Sequence, residues 1–171
     1  MKVKLIMKKI IPVFFLLLLC DFSFGQENEV TKIFLLRHTE TIDDGTRDPK
    51  LSEKGIERAK KWAAVLRSEK IDKVYSTDLK RTQALARIIA NSQGIEKINS
   101  YKRDLDVKVF LSEVKSKTVV VSGHSNTTPF FVNKLIGEEK YQQIEDADYS
   151  NLFMVTCFSK ERVSVILLKI N

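Results

Sequence analysis

The sequence predicts an α/β fold, a three-layer α/β/α arrangement with a mostly parallel central sheet and an antiparallel strand pair at its C-terminal end. Short apolar runs alternate with helical segments along most of the chain, an order that favours parallel strands covered on both faces. The last two apolar runs instead follow each other with only a short connection, which is typical of an antiparallel hairpin.

Residues 1–25 are predicted to lie outside this fold. Four lysines precede an apolar run, Ile10 to Leu19, that is shorter than the about 20 residues needed to span a bilayer. With Ser23-Phe24-Gly25 after it, the run is typical of a secretory signal peptide, cleaved between Gly25 and Gln26. The competing expectation is a lipid anchor on Cys20, which the preceding leucines disfavour because that position is normally small. We expect an exported protein, periplasmic or secreted, that meets a membrane only if Cys20 is lipidated.

Residues 26–171 are predicted to form a single domain. The chain has a net charge of +7, and removal of residues 1–25, with four lysines and one aspartate, leaves +4. This moderate charge, spread over scattered lysines, does not indicate a nucleic-acid partner. Cys157 is the only cysteine left, so no internal disulfide is expected, and its apolar alternating surroundings predict a buried small residue.

Six runs are predicted as strands because they are short, apolar and rich in β-branched residues. In chain order they are Lys32–Leu36, Lys73–Ser76, 97–101, Thr118–Ser122, Asn151–Phe158 and Val163–Ile170. The run at Thr118–Ser122 is the most β-prone of the chain. The last two are expected to pair around Ser159–Arg162.

Four helices are predicted from capping residues and apolar periodicity. The first is expected from the N-cap Ser52 to about Ser68, with one apolar face made of Ile56, Ala59, Trp62, Ala63 and Leu66. The others are expected from a cap at Thr77 or Asp78 to about Asn91, from a cap at Asp104 to about Lys115, and from Asn126 to Leu135. Pro129 falls in the first turn of the last helix, where proline is tolerated.

The chain has only two histidines, and each closes a predicted strand. His38 ends the run that starts at Ile33, and His124 ends the run that starts at Thr118. Ligands of open α/β sheets gather beyond the carboxyl ends of the strands. Both histidines are therefore expected to reach one pocket.

The residues beside these histidines are suited to phosphate. An imidazole can attack phosphorus and hold the phosphoryl group as phosphohistidine, while fixed cations stabilise the charge on its oxygens. Arg37 offers a forked guanidinium, provided that the strand ends there and the chain turns so that Arg37 and His38 serve one site. Arg81, one turn inside a helix that follows a strand, is a second candidate; its structural alternative is an ion pair with Asp78.

The third element of the candidate site is Ser122-Gly123-His124-Ser125-Asn126-Thr127. Gly123 lets the backbone approach closely or turn sharply. Ser125 and Asn126 can offer backbone N–H groups at the start of the next helix, and His124, if cationic, would complete the ring of positive charge.

Together these motifs resemble the histidine phosphatase superfamily, also called the phosphoglycerate-mutase-like fold. The similarity extends over Asp48–Gly55, Tyr75–Thr82 and Gly123–Thr127, and so covers nearly all of residues 31–170. The resemblance implies that His38 is the phosphorylated nucleophile. It further implies a set of residues around the phosphoryl group: Arg37, Arg81 and His124 on its oxygens, with Thr41, Ser125 and Asn126 as further substrate-binding residues.

The chain departs from the family pattern at three places. Thr39 stands where the family often has glycine, and Asp44 stands where mutases and many phosphatases have asparagine. Only 42 residues separate Arg81 from His124, so the large insertion that cups substrate in the mutases is absent. The short segment argues against mutase activity.

A phosphatase of this kind also needs a general acid that protonates the leaving oxygen. Asp106 lies closest to where many relatives keep this group, and the alternative is that neither Asp106 nor Asp104 is catalytic. The expected function is a phosphomonoesterase that needs no metal and no cofactor, acting on a small phosphorylated substrate or a phosphoprotein. The alternative is a module of the same fold that binds phosphate but turns over weakly or not at all. A serine hydrolase is excluded because Thr127 replaces the last glycine of the nucleophile elbow, and a metal hydrolase because the histidines lack ligand spacing.

Overall fold

The computed structural model describes residues 30–158 and 162–170. The predicted signal peptide, residues 1–25 with Cys20, and most of the predicted hairpin connection lie outside the described residues. Within the described part of the chain, no helix is both long and apolar enough to cross a bilayer.

All six predicted strands are present and form one sheet. They are β1 (Thr31–Arg37), β2 (Lys73–Ser76), β3 (Ile98–Ser100), β4 (Thr118–Gly123), β5 (Asn151–Cys157) and β6 (Val163–Lys169). Their order in the sheet is β3-β2-β4-β1-β5-β6. The four strands from β3 to β1 are parallel, while β5 and β6 are antiparallel to their neighbours. The predicted topology, mostly parallel with an antiparallel pair at the end, is confirmed.

Helices cover both faces of this sheet. They are α1 (Glu53–Val65), α2 (Lys80–Ser92), α3 (Val107–Glu113) and α4 (Thr127–Ile136). Side chains alternate across β1: Phe34 and Leu36 pack with α1 and α2, whereas Ile33 and Leu35 pack with α3 and α4. A strand buried on both faces reads as a continuous apolar run, and this explains why β1 was recognisable in the sequence.

The start of α1 agrees with the prediction, but its buried face differs by one residue. Ser52 caps the helix, and its hydroxyl accepts a hydrogen bond from the Gly55 amide at 3.1 Å. The helix ends at Val65, earlier than expected. Ile56 is 38% exposed, so its assignment to the apolar face was wrong. Gly55 is buried in its place, because the backbone of Glu40 lies directly against it.

The predicted caps of α2 were wrong. Leu79 occupies the N-cap position and provides no side-chain cap. Asp78 instead accepts a hydrogen bond from the Ser100 hydroxyl. The first amide of the helix, that of Lys80, donates to the Asp48 carboxylate at 2.9 Å. Asp48, from a distant loop, therefore caps the helix in place of the predicted Thr77 or Asp78.

The cap of α3 was also misplaced. Asp106 is the N-cap, and its carboxylate accepts hydrogen bonds from the amides of Lys108 at 2.7 Å and Val109 at 3.2 Å. Asp104, the predicted cap, lies outside the helix and is exposed. Elsewhere the predictions hold: Pro129 lies in the first turn of α4, and Cys157 is buried, which raises the pKa of its thiol.

Candidate active site

The two histidines meet at the carboxyl edge of the sheet. β1 and β4 are parallel neighbours whose last residues, Arg37 and Gly123, are in register. The next residue of each strand is a histidine, and the two ring centroids are 5.5 Å apart. The amide of His38 donates to the Gly123 carbonyl at 2.9 Å, which extends the β1–β4 ladder to the edge of the site. The expected convergence of His38 and His124 is thus observed.

Gly123 is needed for close packing at this edge. A Cβ atom at this position would lie 2.7 Å from Thr128 Oγ1 and 2.8 Å from Tyr101 Oη. These are separations that real Cβ atoms do not adopt, so a side chain here would force the Thr128 and Tyr101 side chains to shift. The expectation that Gly123 permits a close approach agrees with this geometry.

The hydrogen bond of His38 determines which of its nitrogens is free to react. Its Nδ1 lies 2.9 Å from the carbonyl oxygen of Thr39. Because a carbonyl only accepts, Nδ1 must carry the proton of the neutral ring. Nε2 then presents a lone pair, and it makes no hydrogen bond with any described residue. A neutral imidazole in this form is a nucleophile.

The loop after His38 is fastened to α1. Thr39 is fully buried, and its hydroxyl donates to the Gly55 carbonyl at 2.8 Å. The Glu40 carboxylate receives the Arg58 Nε proton at 3.0 Å. Gly55 has no room for a Cβ atom, which would overlap the Glu40 carbonyl oxygen. The hydroxyl of Thr39 therefore anchors this loop to α1.

Arg37 is held by residues 145–149, for which no role was predicted from the sequence. Its Nη1 donates to the carbonyls of Glu145 at 2.7 Å and Asp148 at 3.0 Å. The guanidinium carbon lies 4.2 Å from the centroid of the Tyr149 ring, and Nη2 is 3.9 Å from the Asp146 carboxylate. Arg37 Nε is buried and has no hydrogen-bond partner among the described residues. One donor of a fixed cation thus lacks an acceptor among the described residues.

Arg81 reaches the loop between β1 and α1. Its Nη1 lies 3.2 Å from the Arg47 carbonyl and 3.4 Å from Asp48 Oδ1. The structural alternative, an ion pair with Asp78, is not what the side chain forms. Since Asp48 also binds the first amide of α2, this one carboxylate fixes both Arg81 and the helix that carries it.

Both histidines are neutral near neutral pH. Burial, and then the charges of Arg81, His124 and Arg37, lower the pKa of His38 to about 4, although the Thr39 hydrogen bond opposes this. Burial and the charges of Arg81 and Arg37 lower the pKa of His124 to about 4, against the opposing charge of Asp48. The condition under which His124 would add to the ring of positive charge is therefore not met in the free site, where the two arginines supply that charge.

The remaining sequence-predicted residues lie around this centre without bonding to either ring. Thr41 forms an isolated bridge with Leu51. Ser125 is partly exposed, and its carbonyl accepts from the Ile144 amide at 2.9 Å. Asn126 is exposed at the N-cap of α4 and makes no side-chain cap. Asp106 is exposed and engaged with the first amides of α3.

Asp44, the anion that departs from the family pattern, is turned to its own loop. Its carboxylate accepts from the amide of Thr46 at 3.0 Å and from the hydroxyl of the same residue at 2.6 Å. These two hydrogen bonds keep the pKa of Asp44 below its ordinary value. The side chain is fully exposed, so its charge faces solvent.

A cavity of about 280 Å³ lies behind the segment that holds Arg37. It is lined by Tyr141, Gln142, Gln143, Ile144, Glu145, Asp148, Asn151, Phe153, Leu167 and Lys169. Neither histidine is among these residues, so the cavity is separate from the candidate site. The sequence carried little signal for this segment, because it meets Arg37 mainly through backbone carbonyls, which any residue has.

Comparison with known proteins finds similarity to one family. Residues 33–103 match the model of the histidine phosphatase superfamily (branch 1). Phosphoserine phosphatase 1 of Hydrogenobacter thermophilus is 39% identical over 75 residues, 40% of this chain and 36% of that protein. The "Probable phosphoglycerate mutase GpmB" of Yersinia pestis is 34% identical over 85 residues, 46% of this chain and 40% of that protein. The matched segments therefore span less than half the length of these relatives.

The fold comparison extends over most of the described chain. The structure of the protein histidine phosphatase SixA complexed with tungstate is similar with a TM-score of 0.64, at 15% sequence identity, and covers 81% of this chain and 96% of that one. At this identity the likeness concerns the fold alone. The sequence match makes residues 33–103 similar to the histidine phosphatase superfamily, and the chain shares the fold of this solved phosphatase.

Proposed function

We propose that the protein is a metal-independent phosphomonoesterase that works through a phosphohistidine on His38. The observation that carries the proposal is the contact of His38 Nδ1 with the Thr39 carbonyl, which leaves Nε2 of this buried ring unprotonated, beside His124 and within the electrostatic influence of Arg81 and Arg37. In the first step the Nε2–P bond forms while the bond between phosphorus and the leaving oxygen breaks. In the second, water attacks phosphorus and the P–N bond breaks, which releases phosphate.

The charges around the histidines support an anionic substrate. Arg37 and Arg81 both act on the two rings, and the buried Nε of Arg37 lacks an acceptor among the described residues. A phosphoryl oxygen would supply one, and a guanidinium is well matched to such oxygens. The same two cations would repel a metal ion, so the pair of histidines is poorly suited to hold one.

We favour hydrolysis over the mutase reaction. The relatives' names include both activities, so the preference rests on the residues of this chain. Between Arg81 and His124 the chain builds only the rest of α2, then β3, α3 and β4. This segment has no additional element that could enclose a phosphorylated product until it is re-phosphorylated, so we expect water to reach the phosphohistidine.

The substrate class and the location of the protein belong to the same proposal. The substrate is a small phosphorylated molecule or a phosphoprotein. The location is outside the cytoplasm, periplasmic or secreted, and it follows only from the pattern of residues 1–25. Intact mass of the protein recovered from its native source checks the location: a chain that starts at Gln26 supports export, and retention of residues 1–25 contradicts it.

The test of the activity is hydrolysis of an aryl phosphate with a chelator present, by the full chain and by His38→Ala. We expect chelator-resistant turnover that falls by about 10³-fold or more in His38→Ala, and a phosphohistidine that can be trapped by quenching in alkali. Lys61→Ala is the matched control, because Lys61 is an exposed residue of α1.

Equal turnover in the two proteins would contradict the phosphohistidine mechanism. Absence of turnover in both, with tungstate still bound, would make the alternative function the better account, a module that binds phosphate without hydrolysing it.

A further inference from the structure

Thr77 connects His124 to a second threonine through hydroxyl groups. It directly follows β2, the strand that pairs with β4. Its Oγ1 lies 3.0 Å from His124 Nε2 and 2.8 Å from the Oγ1 of Thr82. Thr82 belongs to the first turn of α2 and is fully buried. Each of these contacts requires one hydrogen, and the donors can be assigned by counting them.

The Thr82 hydroxyl has a single hydrogen to donate. Its Oγ1 is 2.8 Å from the Leu79 carbonyl and 3.2 Å from the Thr77 carbonyl. Carbonyls cannot donate, and two oxygens at 2.8 Å repel each other unless a hydrogen lies between them. The Thr82 hydrogen is therefore committed to a carbonyl. Thr77 must then donate to Thr82, because that contact is also 2.8 Å and needs a hydrogen.

With its hydrogen committed, Thr77 can only accept from His124. We infer that Thr77 is a positioning residue that fixes neutral His124 as the Nε2–H tautomer, so that its Nδ1 faces the phosphorylated substrate as a proton acceptor. Nδ1 makes no hydrogen bond with a described residue. The inference concerns the substrate only through the proposed function, while the tautomer itself rests on the three oxygen and nitrogen contacts.

This tautomer has a consequence for what the site binds. A lone pair on Nδ1 repels a phosphoryl oxygen unless a proton lies between them. The complex with a dianion must therefore take up one proton, or the site must take the monoanion of the substrate. The charged groups that shift the pKa of His124 are Arg81, Arg37 and Asp48. His124 in turn shifts the pKa of the neighbouring titratable group, His38. The two arginines keep the free ring neutral, so the proton arrives with the substrate.

The tautomer can be measured directly because His38→Ala leaves a chain with one histidine. Two-bond ¹H–¹⁵N spectra of ¹⁵N-histidine-labelled His38→Ala at pH 7.5 are expected to show the Nε2–H pattern. Addition of Thr77→Val removes the acceptor and should give the Nδ1–H form or a mixture, whereas Thr77→Ser should restore the pattern of the parent. A parent spectrum of the Nδ1–H form would overturn the inference, and so would a Thr77→Val spectrum that does not change.

The proton count is the second measurement. Tungstate is a dianion without protons at pH 8, and its binding to His38→Ala can be followed by calorimetry in buffers of different ionisation enthalpy. We expect uptake of about one proton per tungstate, retained with Thr77→Ser and reduced towards zero with Thr77→Val, in which neutral His124 can donate from Nδ1. Uptake of no proton by the parent would contradict the inference.

These measurements separate the inference from the proposed function. The spectra need no turnover, so an inactive protein with the Nε2–H pattern would disprove the phosphatase and support the tautomer. An active phosphatase with the Nδ1–H pattern would support the proposed function and contradict the inferred tautomer. Failure of tungstate to bind would count against the proposed function and leave the spectra to decide the tautomer.

Discussion

At the scale of single residues, Tyr149 gives Arg37 a fixed orientation. The guanidinium carbon of Arg37 lies 4.2 Å from the centroid of the Tyr149 ring. The same ring centroid is 6.3 Å from that of His38. Two backbone carbonyls hold Nη1 of the same guanidinium. A cation fixed before substrate arrives loses little freedom when it binds, so we expect Tyr149 to contribute to phosphate binding through Arg37.

Replacing Tyr149 tests this role. We expect Tyr149→Ala to raise KM for an aryl phosphate by about 2- to 30-fold, the range that corresponds to a cation–π contact of about 0.5–2 kcal/mol, with a smaller effect on kcat. Tyr149→Phe keeps the ring, and the hydroxyl makes no hydrogen bond with a described residue, so this control should behave like the parent. A phenylalanine variant as impaired as the alanine variant would show that the hydroxyl, and not the ring, matters.

At the scale of elements, α3 shows how a carboxylate can look catalytic and serve a helix. Asp106 follows β3 at the edge of the sheet where the histidines lie, but it accepts from two amides of α3. It has no contact with His38, His124, Arg37 or Arg81 among the described residues. Its carboxylate therefore serves the first turn of α3.

Two substitutions of Asp106 separate the cap from an acid. Asp106→Ala should lower the free energy of unfolding by about 1 kcal/mol, whereas Asp106→Asn keeps a capping oxygen and should be nearly as stable as the parent. Because asparagine cannot act as an acid, we expect kcat to stay within about threefold in both variants. Urea unfolding and aryl phosphate hydrolysis check these outcomes. A kcat reduced by about 100-fold in the stable Asn variant would instead identify Asp106 as the acid.

At the scale of the whole molecule, two apolar layers lie on either side of one sheet, and the site lies at its carboxyl edge. Burial in this setting keeps both histidines neutral, with pKa values of about 4 in place of 6.5. The unfolded chain therefore binds protons between pH 6.5 and 4 that the folded chain does not. The stability is complete above pH 6.5 and declines as the pH falls through this window.

The expected loss is a few kcal/mol, since each pKa unit corresponds to roughly 1.4 kcal/mol. Urea unfolding at a series of pH values measures it. The double variant His38→Gln, His124→Gln has no histidine left and should show a nearly flat profile from pH 6.5 to about 4.5. Carboxylates such as Glu40 and Asp148, whose pKa values are lowered, lose their contribution only below this range. An equally steep profile in the double variant would contradict the assignment.

The features that the sequence predicted are those with a local signal. The strands are recognised by continuous apolar runs, and Ser52 is recognised by its place before an amphipathic helix. The two histidines are recognised by their position at strand ends. The features that it missed are made by distant residues. Asp48 replaces the expected cap of α2, and the carbonyls of Glu145 and Asp148 hold Arg37. Backbone acceptors leave no trace in residue type, so such contacts emerge only when the chain is folded.

Gly55 has a consequence for how variation in this chain should be interpreted. Its missing Cβ makes room for the carbonyl of Glu40, two residues after His38, and its own carbonyl accepts the Thr39 hydroxyl. In a library of active variants, position 55 would stay glycine as strictly as the histidines stay histidine. A sequence profile built from such a library would place Gly55 among the reactive residues. The reason for its invariance would be only the space that the loop of Glu40 occupies.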